Sequence, residues 1–228
     1  PQDWSVLLFS AQNLTNRRKG ADLLVRALRE LTTDVAARTV LLTMGQRGAE
    51  LAQGTGLPIR DLGYLADDHL KAIAYSAADL FLFPTRADVF GLASIESQAC
   101  GTPVISFRVG GVPDHVRPGE TGFLAEPEDA LGFRDGIVLL LQNEAARYRM
   151  SGRCRASVQQ DFDLSLEAMR HTSMYESILS QEAARDRTGP PLLPPYPEAE
   201  RARASEASDP SERESRRPTR VARASEPD

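Results

Sequence analysis

The chain has 228 residues, a formal net charge of −5 and 26% charged residues. That length suits one α/β domain with a sizeable core. The acidic balance supplies no global basic field for nucleic acid or anionic membranes, so any phosphate binding has to be local. No apolar run approaches the roughly 20 residues of a membrane-spanning helix. The start, Pro1-Gln-Asp-Trp4, has neither an initiator Met nor a basic-then-apolar leader, and the expectation is a fragment of a longer chain.

Val6 to Ser10 is an apolar run that predicts the first strand. A polar loop, Gln12 to Gly20, leads into a helix with Leu23, Leu24, Ala27, Leu28 and Leu31 at helical spacing. Thr39 to Met44 predicts the second strand and Ile59 to Leu62 a short third one. Asp67 or Asp68 can cap a helix whose apolar positions are Leu70, Ile73, Ala74 and Ala77. Leu80 to Phe83, Val104 to Phe107 and Gly122 to Leu124 complete the strands. Strands alternating with helices argue for a parallel, doubly wound, Rossmann-like α/β sheet.

Three further helices follow, over 129–142, 143–160 and 164–181. Leu139 to Leu141, Tyr148, Met150 and Val158 read as their core positions. Residues 182–228 hold 8 of the 15 prolines, mixed charges and few large apolar residues, a composition that predicts a disordered tail. The expected division is thus a folded domain over 1–181 and a tail over 182–228. Cys100 and Cys154 form no metal pattern or disulfide framework, and Cys100 reads as a small buried thiol. His69, His115 and His171 show no ligand spacing, so neither a metal site nor a catalytic histidine is expected.

The chemistry-bearing stretch is residues 83–115. Two apolar strands flank a helix that opens near Gly91, and each strand ends in a glycine-containing turn. Asp88 and Glu96 stand eight positions apart, which is just over two helical turns and would place both on one face if both were helical. Asp88-Val-Phe-Gly-Leu-Ala-Ser-Ile-Glu96, then Ala99-Cys-Gly-Thr-Pro-Val-Ile105 and Gly110-Gly-Val-Pro-Asp114, resemble the acid-x7-Glu signature of family 4 (group 1) retaining glycosyltransferases of the GT-B fold. The resemblance covers roughly residues 5–180.

It implies the C-terminal, nucleotide-sugar-binding half of a two-domain, metal-independent enzyme that needs no further cofactor. Asp88, Glu96 and Lys19 take the catalytic positions. Gln12, Arg18, Lys19, Asp88, Val89, Phe90, Gly91, Leu92 and Glu96 are the expected substrate-binding set. The N-terminus of the helix after Asp88 suits a diphosphate, Gly91 permits close backbone approach, and Glu96 matches the acid that accepts the ribose hydroxyls. Lys19 matches the lysine that neutralises the leaving diphosphate. The family's usual arginine after the first strand is replaced by Gln12, with Arg17 or Arg18 available to supply the charge. Asp88 is one methylene shorter than the usual Glu at the hexose contact. Gly110-Gly111 matches a turn at the cleft floor, and Arg60 is a candidate near the base.

The acceptor, a glycan or lipid-linked sugar in this reading, would meet the N-terminal half, so the isolated chain is expected to be inactive. The resemblance further implies a cytoplasmic enzyme without a nucleic-acid partner, any peripheral contact with the inner membrane face being made by that other half. Competing readings are a GT-B epimerase or phosphorylase and a non-catalytic nucleotide-sugar-binding module. A pyridoxal-phosphate phosphorylase would have only Lys19 and Lys71 for its Schiff base.

Overall fold

A computed structural model describes residues 4–51 and 54–185. Strands β1 (Ser5–Asn13), β2 (Thr39–Gln46), β3 (Ile59–Asp61), β4 (Leu80–Phe83), β5 (Val104–Phe107) and β6 (Gly122–Ala125) form one sheet in the order β3-β2-β1-β4-β5-β6. All neighbours pair in parallel, with Leu7 opposite Leu80 and Phe81 opposite Val104. The helices are α1 (Ala21–Arg29), α2 (Thr33–Ala36), α3 (Asp68–Ser76), α4 (Leu92–Ala99), α5 (Ala130–Leu141), α6 (Glu144–Asp161) and α7 (Leu164–Arg185).

The parallel sheet is explained by two apolar layers. Leu7, Phe9, Leu80, Leu82, Ile105 and Phe107 pack on one face with Leu24 and Leu28 of α1 and Phe133 and Ile137 of α5. Leu8, Phe81, Phe83 and Val104 alternate onto the other face, where Tyr75 and Val112 meet them. A central strand buried on both faces reads as a continuous apolar run, which is how β4 and β5 appear in the sequence. Each large side chain fully removed from water contributes about 1.5–3 kcal/mol.

Several expectations are corrected. β1 and β2 run past Ser10 and Met44, so Gln12 lies in a strand, not in the polar loop. In α3, Ala74 and Tyr75 occupy the core, which turns Leu70 and Ile73 outward to 50% and 64% exposure. Asp67 is the capping residue, accepting from the His69 and Leu70 amides. The core stripe of α6 is Met150, Cys154 and Ser157; Tyr148, two positions and about 200° away, is exposed, and so is Leu139 beside the buried Leu140. Cys154 is buried, but Cys100 caps the end of α4 half-buried.

α7 continues to Arg185, beyond the expected end at Gln181. The chain divides into two units, the boundary falling after Ala168. The expected tail lies outside the described residues from position 186 onward. No helix among the described residues is long and apolar enough to cross a membrane.

Candidate functional site

The strand order reverses between β1 and β4. Connections leave these two strands in opposite directions, opening a crevice at their carboxyl ends where ligands of such sheets bind. The loops at that crevice are residues 14–20 and 84–91.

In the first loop, Asn13 Oδ1 accepts from the Thr15 amide and hydroxyl at 3.0 and 2.9 Å. Asn16 then caps a 3₁₀ turn over Arg17–Lys19 through its bond from the Arg18 amide. Gly20 closes the turn with φ +74° and opens α1, and a β-carbon on it would run into the Pro84 carbonyl. The second loop is tied to the first. The Arg86 amide and the Thr85 hydroxyl both donate to Arg18 O, at 2.9 and 3.2 Å, and Arg18 Nη1 donates to Ala87 O at 3.1 Å. Gly110 and Gly111 lie directly beneath the Asp88 and Val89 carbonyls. That contact gives the Gly-Gly turn a structural reason: it seats the turn that bears Asp88.

Across the two loops Lys19 Nζ meets Asp88 Oδ2 at 2.8 Å, with the side chains 21% and 15% exposed. Arg18 Nη1 stands 3.7 Å from the same oxygen, and the lysine ammonium lies 5.5 Å over the Phe83 ring. Burial pushes the Asp88 carboxyl up, but the Lys19 hydrogen bond and the Lys19 and Arg18 charges outweigh it and hold the group below its usual range. These residues and the stretch from Val89 to Ala93 line a cavity of about 360 Å³. Leu92 and Ala93, whose amides begin α4 without intrahelical partners, are among its lining residues.

Glu96 belongs to a second cavity, of about 330 Å³, which it shares with Asp68, Lys71, Tyr75 and Cys100. The Tyr75 hydroxyl donates to Glu96 Oε2 at 3.0 Å, while the glutamate itself is exposed. Burial, then the Glu96 charge, pushes the Tyr75 phenol well above its ordinary range. The condition for Asp88 and Glu96 to share a helical face, that both be helical, is not met. α4 starts at Leu92, so Asp88 sits in the preceding turn and the two acids open onto neighbouring cavities.

The other expected residues divide. Arg18, Val89, Gly91 and Leu92 line the first cavity, as does Phe90, whose ring also stacks on His115 and meets Phe162 edge-on, each at 5.5 Å. Gln12 is an exposed strand residue that lines neither cavity, and Arg60 lies on the edge strand β3. Arg17 contributes its carbonyl, which accepts from Arg86 Nη1 at 2.8 Å.

Three residues were not anticipated: Arg86, Tyr75 and His115. His115 is fully buried beneath the Gly91 turn, with Nδ1 2.7 Å from Val112 O and Nε2 2.7 Å from Ser94 Oγ. The Val112 carbonyl can only accept, so Nδ1 carries the proton; Ser94 Oγ lies between Nε2 and the Gly91 carbonyl, 3.0 Å away, and its one proton serves these two acceptors. Burial lowers its pKa to about 4. A histidine far from any ligand pattern offered no signal of this bracing role.

Sheet order and the reversal between β1 and β4 define a Rossmann-like α/β domain, with a cation–acid pair and the candidate site at the strand ends. Comparison narrows the class: the chain belongs to the glycosyl transferases group 1 family, whose model matches residues 5–143. It is 30% identical over 185 residues to an N-acetyl-alpha-D-glucosaminyl L-malate synthase of Bacillus anthracis, a match covering 80% of this chain and 47% of that one. With a D-inositol 3-phosphate glycosyltransferase of Catenulispora acidiphila it shares 37% identity over 160 residues, covering 64% and 38% of the two chains. Among solved structures, sucrose-phosphate synthase from Thermosynechococcus elongatus superposes with a TM-score of 0.68 at 31% identity, over 79% of this chain and 47% of that one. Anabaena HepE in complex with UDP-glucose shares the fold, with a TM-score of 0.64 at 22% identity, over 77% and 49%. The chain spans about half the length of the curated relatives it matches, or less.

Proposed function

We propose that residues 1–181 are the donor-binding half of a family 4 retaining, metal-independent glycosyltransferase, with residues 182–228 a tail outside that domain. The observation that carries the reading is the meeting of Lys19 and Asp88 at the strand-order reversal, with Glu96 on the adjoining helix. A nucleotide-sugar donor laid across the two cavities puts its diphosphate at Lys19, Arg18 and the first amides of α4. Its ribose hydroxyls reach the exposed carboxylate of Glu96. UDP is a sensible first probe, because HepE has been solved with UDP and with UDP-glucose.

In the reaction, the bond between the sugar's anomeric carbon and the diphosphate breaks and the acceptor oxygen bonds that carbon from the same face. The acceptor's proton passes to the departing phosphate oxygen. Lys19 and Arg18 stabilise the charge that develops on that leaving group, the task a metal performs elsewhere. Asp88, released from Lys19 as the diphosphate arrives, faces the sugar. The acceptor site belongs to an N-terminal half, and the working enzyme is cytoplasmic.

Titration of the 228-residue chain with UDP, GDP and ADP tests this reading. Glu96→Ala is expected to lower affinity for the preferred nucleotide at least about tenfold, or 1.4 kcal/mol, since charged hydrogen bonds contribute roughly 1.5–3 kcal/mol each. The 2′,3′-dideoxy nucleotide should bind poorly and ignore the substitution. A folded Glu96→Ala variant with unchanged affinity would sink the proposal. A second reading, a non-catalytic nucleotide-sugar-binding module, draws on the short Asp88, which is held at Lys19. Sugar transfer by this chain joined to an N-terminal half decides between the two.

A further inference from the structure

Lys19 has a long flexible side chain, yet its ammonium sits at one place, against Asp88. Besides the backbone ties between the two loops, the side chain of Arg86, a residue that lines neither cavity, bridges them. Its guanidinium fork donates from Nη1 and Nη2 to the two oxygens of Asp22, at 2.7 and 2.6 Å. Nη1 also donates to Arg17 O at 2.8 Å, and Nε to Glu128 Oε1 at 3.1 Å. Arg17 lies two residues before Lys19 and Asp22 three residues after it, so one side chain grips both flanks of the lysine. The same residue is two positions before Asp88.

Exposed ion pairs contribute little on their own. Here the Arg86 side chain is only 15% exposed, the pairing with Asp22 is bidentate, and a backbone carbonyl shares the same nitrogen. A planar fork serves such an arrangement and a lysine's point charge does not. The hydrogen bond from Arg86 also holds the Asp22 carboxyl below its ordinary range.

We propose that Arg86, anchored by Asp22, is a positioning residue that sets Lys19 for the donor's terminal phosphate. The inference rests on the donor-binding reading and deepens it. It predicts a selective defect: affinity for a nucleoside diphosphate falls while affinity for the monophosphate holds.

The experiment compares UDP and UMP binding to the 228-residue chain and its variants Lys19→Ala, Arg86→Ala, Arg86→Lys and Asp22→Asn. Arg86→Ala and Asp22→Asn are each expected to weaken UDP binding about five- to tenfold and to change UMP binding less than about twofold. Arg86→Lys should fail to restore it. In the Lys19→Ala background Arg86→Ala should add nothing further, because it acts through the lysine. If Arg86→Ala does not fold, Asp22→Asn carries the test, since its carboxylate is 59% exposed. Equal losses for UDP and UMP, or full additivity with Lys19→Ala, would overturn the assignment. If Lys19→Ala weakens UDP binding while Arg86→Ala and Asp22→Asn leave it unchanged, only this inference falls. If Lys19→Ala is also without effect, or wild type binds no UDP, GDP or ADP, the donor reading falls with it.

Discussion

The two cavities are built in different ways. Around Lys19 and Asp88 the chain is fastened backbone to backbone, with Gly20 against Pro84 and Gly110 and Gly111 against the Asp88 turn. The ion pairs of Lys19 and Arg86 add to those contacts, and the buried His115 braces the turn from below. Around Glu96 a single phenol hydrogen bond orients an exposed carboxylate. The first region is preorganised for a charge whose position must be fixed. Under the donor-binding reading the second is open to hydroxyl recognition by an exposed carboxylate. Substitutions in the framework should therefore cost more stability at the first end of the site than at the second.

The largest effect is expected at Gly20. Alanine there has to adopt φ +74° and press a β-carbon into the Pro84 carbonyl. Left-handed backbone costs about 1–2 kcal/mol and overpacking about 1–3 kcal/mol. Gly20→Ala should lower unfolding free energy by about 3 kcal/mol in urea titrations, and a loss below about 1 kcal/mol would show the loops are not tightly stapled.

His115 comes next. Its folded pKa of about 4 lies below the ordinary 6.5, chiefly through burial, with Asp114 pushing it up and Arg117 down. The unfolded chain therefore binds the proton more readily. The stability concerned is complete above pH 6.5 and drains away as pH falls towards 4, reaching about 3 kcal/mol at 1.36 kcal/mol per unit. Denaturant curves across that window should show the slope, and His115→Gln should flatten it. Asp88 and Asp22, both held low, contribute losses only at more acidic pH, below the ordinary carboxylate value of 3.8.

Tyr75→Phe tests the open end and should do least. UDP affinity should fall about two- to fivefold, the scale of one hydrogen bond of about 0.5–1 kcal/mol, and less than for Glu96→Ala. A loss as large as that of Glu96→Ala would mean the phenol, not water, governs the carboxylate.

Much of this architecture was legible in the chain. Apolar runs marked β4 and β5 because both faces of the sheet are covered, and the positions of Leu23, Leu24, Ala27 and Leu28 marked α1. Lys19 and Asp88, read as site residues, do meet. Less legible were residues whose meaning depends on distant partners. Arg86 binds groups 64 and 42 positions away, so in sequence it is one more charge in a turn. Tyr75 stands outside the expected apolar face of α3, yet its ring lies in the core and its hydroxyl reaches a carboxylate. Leu70, Ile73 and Tyr148 misled because helical periodicity gives the spacing of a face without saying which way the face turns.

The pairing of Lys19 with Asp88 means that the cation is never waiting bare. Under the donor-binding reading the site works as an ion exchanger charged with its own tethered counterion. An incoming diphosphate must displace a carboxylate, and only a ligand bringing more negative charge than one carboxylate makes that exchange worthwhile. Small monovalent anions would compete poorly against a partner held 2.8 Å away. On that reading the acid would be set free towards the sugar only once the lysine has been claimed, which would tie readiness of the reacting end to the presence of the whole donor.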